Sequence, residues 1–335
     1  MQSPEEGATP SSGIDVHLTC ANKSGSVEHY YHFFLGHLYP LLLAYEKLEQ
    51  EPAVSQVLVR SCAVMDSLLE PLGLDKLRIL PRDEHAQLAS SVTVKSMTEP
   101  GYDRPVDYHY RPMVRATRVL LRRLAPSIDE AAARLPRPDQ PGPAILLIDR
   151  KPPDDFYTSG NAEISSSGSQ RRSIGNFTEL ANALQGACPN TRVCYLEDHT
   201  LAEQIVLFQR ADIIVGQHGA ALVNAVFCNS HAALVEIYPR DLLNPGGGYK
   251  NHFLRLAQLL GLPFRRVLQQ SSHSAIDCAR VMAAIAEIRR QDSLPQARQL
   301  QRILWFHLWQ LRLRLKLWLK AAASGKSPAP LNKQR

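Results

Sequence analysis

The sequence lacks paired cysteines and long apolar runs. Its six cysteines are scattered, and no two of them form a C-x-x-C pair. That spacing argues against a zinc site or a disulfide framework and predicts reduced thiols. No apolar run reaches the roughly eighteen residues that a membrane-spanning helix needs. Residues 1–13 are polar and acidic rather than an apolar leader. We therefore predict a cytoplasmic protein, in solution or peripheral at a membrane, with a disordered tail at 1–13.

Acidic residues are absent from the end of the chain. From Arg298 onward there are nine Lys and Arg and no Asp or Glu, whereas the rest carries 29 basic and 32 acidic residues. The near-neutral body argues against a nucleic-acid partner. Within the tail, apolar residues recur at helical spacing, which predicts a basic amphipathic helix over 298–320. That helix either lies on an anionic membrane or packs on the body, and a strand stays open because L-R-L-R-L-K-L also alternates. Residues 321–335 are predicted to be disordered.

Length and pattern predict two α/β domains. A chain of 335 residues is long enough for two cores, and prolines cluster in a linker at 137–143, which separates a domain over 14–136 from one over 144–297. In the first domain we predict strands at 16–20, 56–59 and 77–80. Helices are predicted at 26–48 (interrupted by Pro40), 62–69, 113–124 and 127–134, with a turn-rich loop over 98–112.

The second domain repeats the same alternation. Its predicted strands are 144–148, 191–195, 213–215 and 233–238. Its predicted helices are 201–209, 251–260, one opening at Asn176 and one beginning at Ala220. Residues 151–170 are rich in Ser, Gly, Pro and Asp and are predicted to form a mobile loop.

Basic and glycine-containing motifs follow the strands of the second domain. Arg150 ends the first of these strands, Arg171 and Arg172 precede Asn176, and Gly216-Gln217-His218-Gly219 joins a strand to the helix at Ala220. Ligands of open α/β sheets bind at the carboxyl ends of the strands. Guanidinium groups and the N-terminus of a helix both bind phosphate. The spacing therefore predicts a diphosphate site, although a capping role for His218 and a solvated pair of arginines remain open.

This stretch resembles the signature of glycosyltransferase family 61, V-G-x-H-G-A-G-L-x-N followed by a strand with an acidic residue. The matching residues here are Val215, Gly216, His218, Gly219, Ala220, Leu222, Asn224 and Glu236. The N-terminal Y-H-x-x-x-D-x-L-x-P pattern of the family is matched by Tyr31, His32, Leu38 and Pro40. The resemblance is strong over about 144–265.

The resemblance implies a GT-B-like fold with two facing Rossmann-like domains. It also implies inverting transfer from a nucleotide sugar, expected to be UDP-linked, to a hydroxyl of a glycan or glycolipid. His32 is the expected general base. No metal or other cofactor is expected, because arginines can neutralise the leaving diphosphate and no D-x-D motif stands where a metal-dependent enzyme needs it. The expected donor-binding residues are Arg150, Arg171, Arg172, Asn176, His218, Gly219, Ala220, Asn224 and Glu236.

Three positions depart from the family pattern. Gly36 stands at an acidic position, Ser173 where a second basic residue is common, and Ala221 in place of a glycine. These departures keep open a catalytically inactive protein that binds a nucleotide sugar or glycan. A dinucleotide-dependent enzyme is disfavoured, since no G-x-G-x-x-G follows an early strand.

Overall fold

A computed structural model of the chain describes residues 13–20, 26–82, 84, 91–94, 97, 107–137, 139–164 and 166–292. The predicted amphipathic helix at 298–320, the tail at 321–335 and the N-terminal tail up to residue 12 lie outside these residues. No helix in the described part of the chain is long and apolar enough to cross a membrane.

The first sheet has four parallel strands in the order β3-β2-β1-β4. They are β1 (Ile14–Cys20), β2 (Val54–Arg60), β3 (Leu77–Leu80) and β4 (Ser91–Val94). The three strands predicted in this half are confirmed. Strand β4 was not predicted, because three of its four residues are exposed and it has no apolar run of its own.

The second sheet has five parallel strands in the order β6-β5-β7-β8-β9. They are β5 (Ile145–Asp149), β6 (Thr191–Tyr195), β7 (Ile213–Gln217), β8 (Ala233–Pro239) and β9 (Phe264–Gln269). The chain runs outward from β5 to β6 and then returns to β7 on the other side of β5. The strand order therefore reverses between β5 and β7, which is where open α/β sheets bind their ligands.

The helical region predicted over 26–48 is divided into pieces. A 3-10 turn (Ser26–Glu28) and helix α1 (Tyr30–Phe33) lead through a π segment (Phe34–Leu38) into α2 (Tyr39–Leu48). Pro40 is the second residue of α2, which the π segment separates from α1. Pro40 therefore marks a second helix, as one of the two predicted outcomes, and the irregular backbone lies just before it.

Two predictions in the N-terminal half are wrong. Residues predicted as a helix at 62–69 form a 3-10 segment (Ala63–Leu68) that begins with Ala63 at φ 55°. The loop predicted over 98–112 is partly helical, since α3 (Asp107–Arg123) begins five residues before Pro112. Met113, Ala116 and Leu120 of α3 are buried in the core, and this tertiary burial outweighs the unfavourable proline.

The remaining helices surround the second sheet. Helix α4 (Ala125–Arg134) packs on α8 (Leu201–Arg210). The others are α5 (Asp155–Thr158), α6 (Gly168–Arg171), α7 (Phe177–Ala187), α9 (His252–Leu260) and α10 (Cys278–Asp292). Helix α8 begins with a capping box between Thr200 and Glu203, and α9 ends at Gly261 with φ 71°.

The connection from β7 to β8 corrects a further prediction. Residues Ala220–Phe227 form a 3-10 helix, not the α-helix expected to begin at Ala220. Six of these eight residues, Leu222 to Phe227, are buried. An amphipathic α-helix would expose one face, whereas this segment fills the space between the sheet and helices α8 and α9. The dipole of an α-helix is therefore not available beside Gly219.

One hydrophobic cluster joins the two sheets. It contains Leu18 and Val57 of the first sheet, Ile148 and Ile214 of the second, and Phe34 from the π segment. A separate cluster covers the opposite face of the second sheet, where α7 and α10 pack. The mixed α/β architecture with parallel, Rossmann-like sheets is thus confirmed. The edge where β5 and β7 end lies beside the N-terminal helices.

Candidate functional site

A cleft of about 1000 Å³ opens at the point where the strand order of the second sheet reverses. Four of the predicted donor-binding residues line it, namely Arg150, Arg171, Arg172 and Ala220. The N-terminal half contributes His29 and Tyr30 to the same lining. The motifs that the sequence placed at separate strand ends therefore meet in one cavity.

The three arginines concentrate positive charge at one end of this cleft. None of them forms an ion pair with a carboxylate among the described residues. Arg172 is only 7% exposed, and its buried Nε has no hydrogen-bond partner among the residues that the structure describes. Burial first, and then Arg150 and Arg171, lower the pKa of Arg172 to about 9. Burial also lowers the pKa of Arg150 to about 10. Glu197 and Asp149 lie near Arg150, and Asp241 lies near Arg172, and they oppose the lowering of these pKa values without forming a direct ion pair. Buried cations without a direct ion pair are unfavourable, so this arrangement favours an anionic ligand.

Gly219 allows Arg150 to take its position. A Cβ atom at residue 219 would lie 1.7 Å from Nη2 of Arg150. The same Nη2 donates a hydrogen bond to the carbonyl oxygen of His218 at 3.1 Å. The backbone of Gly219 is extended, with φ 168°, so the glycine is needed for close approach and not for its conformation.

The ring of His218 contacts the buried carboxylate of Glu236. Its Nδ1 lies 2.6 Å from Oε1 of Glu236, and the other oxygen of Glu236 accepts a hydrogen bond from Nε of Arg266 at 2.6 Å. Burial lowers the pKa of His218, although Glu236 raises it. With Nδ1 bonded to Glu236, Nε2 is the ring nitrogen that can meet a ligand.

The sequence model of the family described as Glycosyltransferase 61 matches residues 30–235, more than half of the chain. The chain belongs to glycosyltransferase family 61. That match confirms the resemblance carried by the His218-Gly219 stretch. It contains the whole arginine cluster and His218, and it ends one residue before Glu236.

Curated relatives resemble part of this family 61 chain. Protein O-linked-mannose beta-1,4-N-acetylglucosaminyltransferase 2 of Bos taurus is 36% identical over 104 residues, 31% of this chain and 17% of that protein. Its counterpart in Homo sapiens is 36% identical over 99 residues, 29% of this chain and 17% of that protein. The protein of the same name in Mus musculus is 37% identical over 95 residues, 28% of this chain and 15% of the relative. The aligned segment thus spans only a small part of these relatives.

His32, the base expected from the family pattern, is not one of the residues that line the cleft. It lies in a cluster of aromatic rings. Its ring is 5.3 Å from that of Tyr31, which in turn is 5.6 Å from the ring of His252. The ring of His252 lies 5.9 Å from that of His218. Burial first, and then Arg171, lower the pKa of His32, which favours the neutral imidazole that a base requires.

Five predicted donor-binding residues do not line the cleft. His218 and Gly219 lie beside Arg150, as described above, and the other three are Asn176, Asn224 and Glu236. Asn176 precedes α7, and its amide bonds to the backbone of Ile276. Asn224 is fully buried, accepts a hydrogen bond from the hydroxyl of Tyr30 and donates one to Gln204. Glu236 contacts His218 and Arg266 instead of the cavity. The motif residues Asn224 and Glu236 thus contact side chains around the cleft and not the cleft itself.

Sequence reasoning missed two contributors. Arg266 lies on β9, a strand that was not predicted because its burial is irregular. His29 contacts the arginine cluster directly, with Nε2 3.0 Å from Nη1 of Arg171. Burial and Arg171 lower the pKa of His29 to about 4. In the sequence, His29 stands in the aromatic run 29–34. That pattern does not distinguish a histidine in a ligand site from one that packs in the core.

Proposed function

We propose that this family 61 chain is an inverting glycosyltransferase that transfers a sugar from a nucleotide sugar to a hydroxyl of a glycan or glycolipid. The observation that carries the proposal is the cluster of Arg150, Arg171 and Arg172 at the strand-order reversal, three cations that form no ion pair with any carboxylate in the described part of the chain. A nucleoside diphosphate carries the negative charge that would balance these three cations, and guanidinium groups bind its oxygens bidentately.

Each residue has a defined role in this proposal. The three arginines bind the diphosphate and stabilise the charge that develops on the leaving group. Because they supply this stabilisation, we propose that transfer needs no metal ion. Ala220 lines the cleft next to the close approach of Gly219 and Arg150. His32 removes the proton from the acceptor hydroxyl as the new bond forms on the face opposite the leaving diphosphate, which gives inversion. The two facing sheets would form a GT-B arrangement around this reaction.

UDP-N-acetylglucosamine is the first donor to test, because the similar proteins are named as N-acetylglucosaminyltransferases. The experiment measures binding of UDP and of a panel of UDP-sugars, followed by hydrolysis and transfer with and without EDTA. The anomeric configuration of the product, read by NMR, tests inversion. Turnover that stops in EDTA would contradict the metal-independent mechanism.

A matched pair of arginine variants tests the site. Arg172→Met should weaken UDP binding by about 1.5–3 kcal/mol, the magnitude of a lost charge-assisted hydrogen bond. Arg280→Met is the control, since Arg280 is exposed and, among the described residues, forms an ion pair with Asp277 alone. Binding without turnover for every donor would select the inactive binding protein. No binding of any nucleotide sugar would contradict both functions.

We also propose that residues 298–320 bring the enzyme to an anionic membrane. The nine basic residues from Arg298 onward support this, since each cation near an anionic leaflet contributes about 1 kcal/mol. Sedimentation with anionic and neutral vesicles, for the whole chain and for a chain ending at residue 297, tests it. Equal binding of both chains would contradict the proposal.

A further inference from the structure

The imidazole of His218 is fixed on one side by two successive contacts. Nδ1 of His218 lies 2.6 Å from Oε1 of Glu236, whose side chain is fully buried. Oε2 of Glu236 accepts a hydrogen bond from Nε of Arg266, also at 2.6 Å. Each oxygen of the carboxylate thus has its own partner. A carboxylate with one partner on each oxygen cannot rotate without breaking both contacts.

Arg266 is itself held on several sides. Its Nη1 donates a hydrogen bond to Oδ1 of Asn251 at 3.1 Å. Its guanidinium carbon lies 4.7 Å from the centroid of the Tyr238 ring and 4.5 Å from that of Tyr249. Guanidinium groups stack on aromatic faces in this way, and the contacts fix the direction of Nε.

The ion pair between Arg266 and Glu236 limits what His218 can offer to the carboxylate. Nε of Arg266 donates to Oε2 of Glu236, and a carboxylate in an ion pair only accepts hydrogen bonds. The atom that His218 presents to Glu236 must then carry a proton. The proton of the neutral ring therefore lies on Nδ1, and Nε2 is left with a lone pair.

We propose that Arg266 is a positioning residue that acts through Glu236 on His218, so that Nε2 of His218 accepts a hydrogen bond from a hydroxyl of the transferred sugar. This inference rests on the proposed function. Nε2 with a lone pair repels phosphate oxygens, which are acceptors, whereas sugar hydroxyls can donate. In this proposal the arginines bind the phosphates, and His218 binds the sugar.

The surroundings of His218 fit this division. Its carbonyl oxygen is bonded to Arg150, so the residue lies directly beside the phosphate-binding cluster. The sugar of a nucleotide sugar is attached to the terminal phosphate, so its hydroxyls lie next to that cluster. On its other sides, the His218 ring packs against the rings of Tyr238, Phe253 and His252, at 4.8, 5.2 and 5.9 Å. Because Nδ1 is bonded to Glu236, Nε2 is the ring nitrogen that remains for a hydrogen bond to the sugar.

The first experiment measures the tautomer of His218 without any ligand. Nitrogen-15 NMR of the histidine-labelled whole chain at neutral pH, with the signals assigned by their loss in His218→Gln, should show a neutral ring protonated on Nδ1. In Arg266→Met the ring should become a mixture of tautomers, and Arg266→Lys should retain more of the Nδ1–H form. A wild-type ring protonated on Nε2, or on both nitrogens, would overturn the proposal whether or not the variants fold.

The second experiment separates sugar from phosphate. In Arg266→Met and His218→Gln, the dissociation constant for UDP should change less than twofold. The kcat/KM for UDP-N-acetylglucosamine should fall at least tenfold in both. An equal loss of affinity for UDP would overturn the assignment of His218 to the sugar. If wild-type protein bound no UDP, the proposed function and the sugar ligand would both fail, while the tautomer measurement would still decide the positioning role.

Discussion

The backbone of Gly219 lies against the guanidinium of Arg150. The two residues are far apart in sequence, yet a Cβ atom at 219 would fall 1.7 Å from Nη2 of Arg150. This contact joins the ends of β5 and β7 at the point where the strand order reverses. Gly219 of the family motif thus leaves room for the side chain of Arg150, which directly follows the neighbouring strand β5.

Gly219→Ala should therefore weaken UDP binding without unfolding the protein. The atom that the new methyl group meets is the end of a flexible side chain, so Arg150 can move aside and the fold can stay intact. Moving it breaks its bond to His218 and removes one phosphate contact, at a cost of about 1.5–3 kcal/mol in binding. Isothermal titration with UDP measures this loss.

Gly186→Ala is the matched control for this variant. A Cβ at Gly186 would meet nothing within 4 Å, and the residue lies in α7. Alanine is the better helix former, so this variant should be as stable as the wild type or slightly more stable, with unchanged UDP affinity. Unchanged UDP affinity in Gly219→Ala as well would show that Arg150 does not contact the diphosphate.

Local pattern was sufficient for the parts of the site that come from regular strands. Ile145–Asp149 and Ile213–Gln217 are apolar runs with clear ends, so the sequence placed Arg150 and His218 at one edge of a parallel sheet. The convergence of these residues follows from the geometry of parallel strands alone. This reasoning needs no knowledge of packing.

Tertiary contacts determined what the sequence did not reveal. The segment Ala220–Phe227 has helical spacing, but it forms a 3-10 helix in which Leu222 to Phe227 are all buried. Asn224 belongs to the family motif, yet its partner Tyr30 is 194 residues away. Arg266 acts on His218 through Glu236 and lies on a strand without a distinct pattern. Contacts of this kind depend on how the two halves pack together.

Asn224→Leu should destabilise the fold without changing the affinity of the folded protein for UDP. The change leaves the hydroxyl of Tyr30 and the amide oxygen of Gln204 without their partner, at about 1–3 kcal/mol for each buried group. Urea unfolding measures the loss. The double variant Asn224→Leu with Tyr30→Phe should recover part of it, because the stranded hydroxyl is removed. Full stability with weakened UDP binding would instead assign Asn224 to the donor.

Glu28 joins the N-terminal half to the loop between β5 and α7. Its fully buried carboxylate accepts hydrogen bonds from the backbone N–H groups of Glu163 and Ile164, at 3.1 and 3.0 Å. Arg82 pairs with the same carboxylate at 2.6 Å. In addition, the hydroxyl of Tyr157 donates to the carbonyl oxygen of Glu28. This loop contributes Pro153, Asp154 and Tyr157 to the cleft.

Glu28→Gln should therefore release the loop. The amide that replaces one carboxylate oxygen donates, and it cannot accept from a backbone N–H. Amide hydrogen exchange of a peptide covering 158–166 should become at least tenfold faster. Glu130→Gln is the control, because Glu130 is 70% exposed and its contact with Arg134 is long, at 3.9 Å. Unchanged exchange in Glu28→Gln would show that other contacts hold the loop.

The last prediction concerns stability in mild acid. His37 lies in the π segment, is 5% exposed and stacks on Phe33 at 5.6 Å. Its buried Nε2 has no hydrogen-bond partner in the described part of the chain, and burial lowers the pKa of His37 to about 4. The folded protein thus keeps His37 neutral, whereas the unfolded chain binds a proton near its ordinary pKa of about 6.5. Between these values the unfolded state holds more protons, so the free energy of unfolding falls as the pH falls.

His37→Leu should reduce this acid sensitivity. One such histidine contributes up to about 1.4 kcal/mol per pH unit between pH 6.5 and 4, and nothing above pH 7. His29 and His252, whose pKa values are lowered to about 4 and about 3, add contributions of the same sign, so the variant should retain part of the slope. Urea unfolding at pH 7, 6 and 5 measures the slope, which a change in core packing at residue 37 would not alter. His231→Gln, at an exposed position, should keep the wild-type slope. An equal slope in His37→Leu and the wild type would show that His37 gains its proton in the folded state as readily as in the unfolded chain.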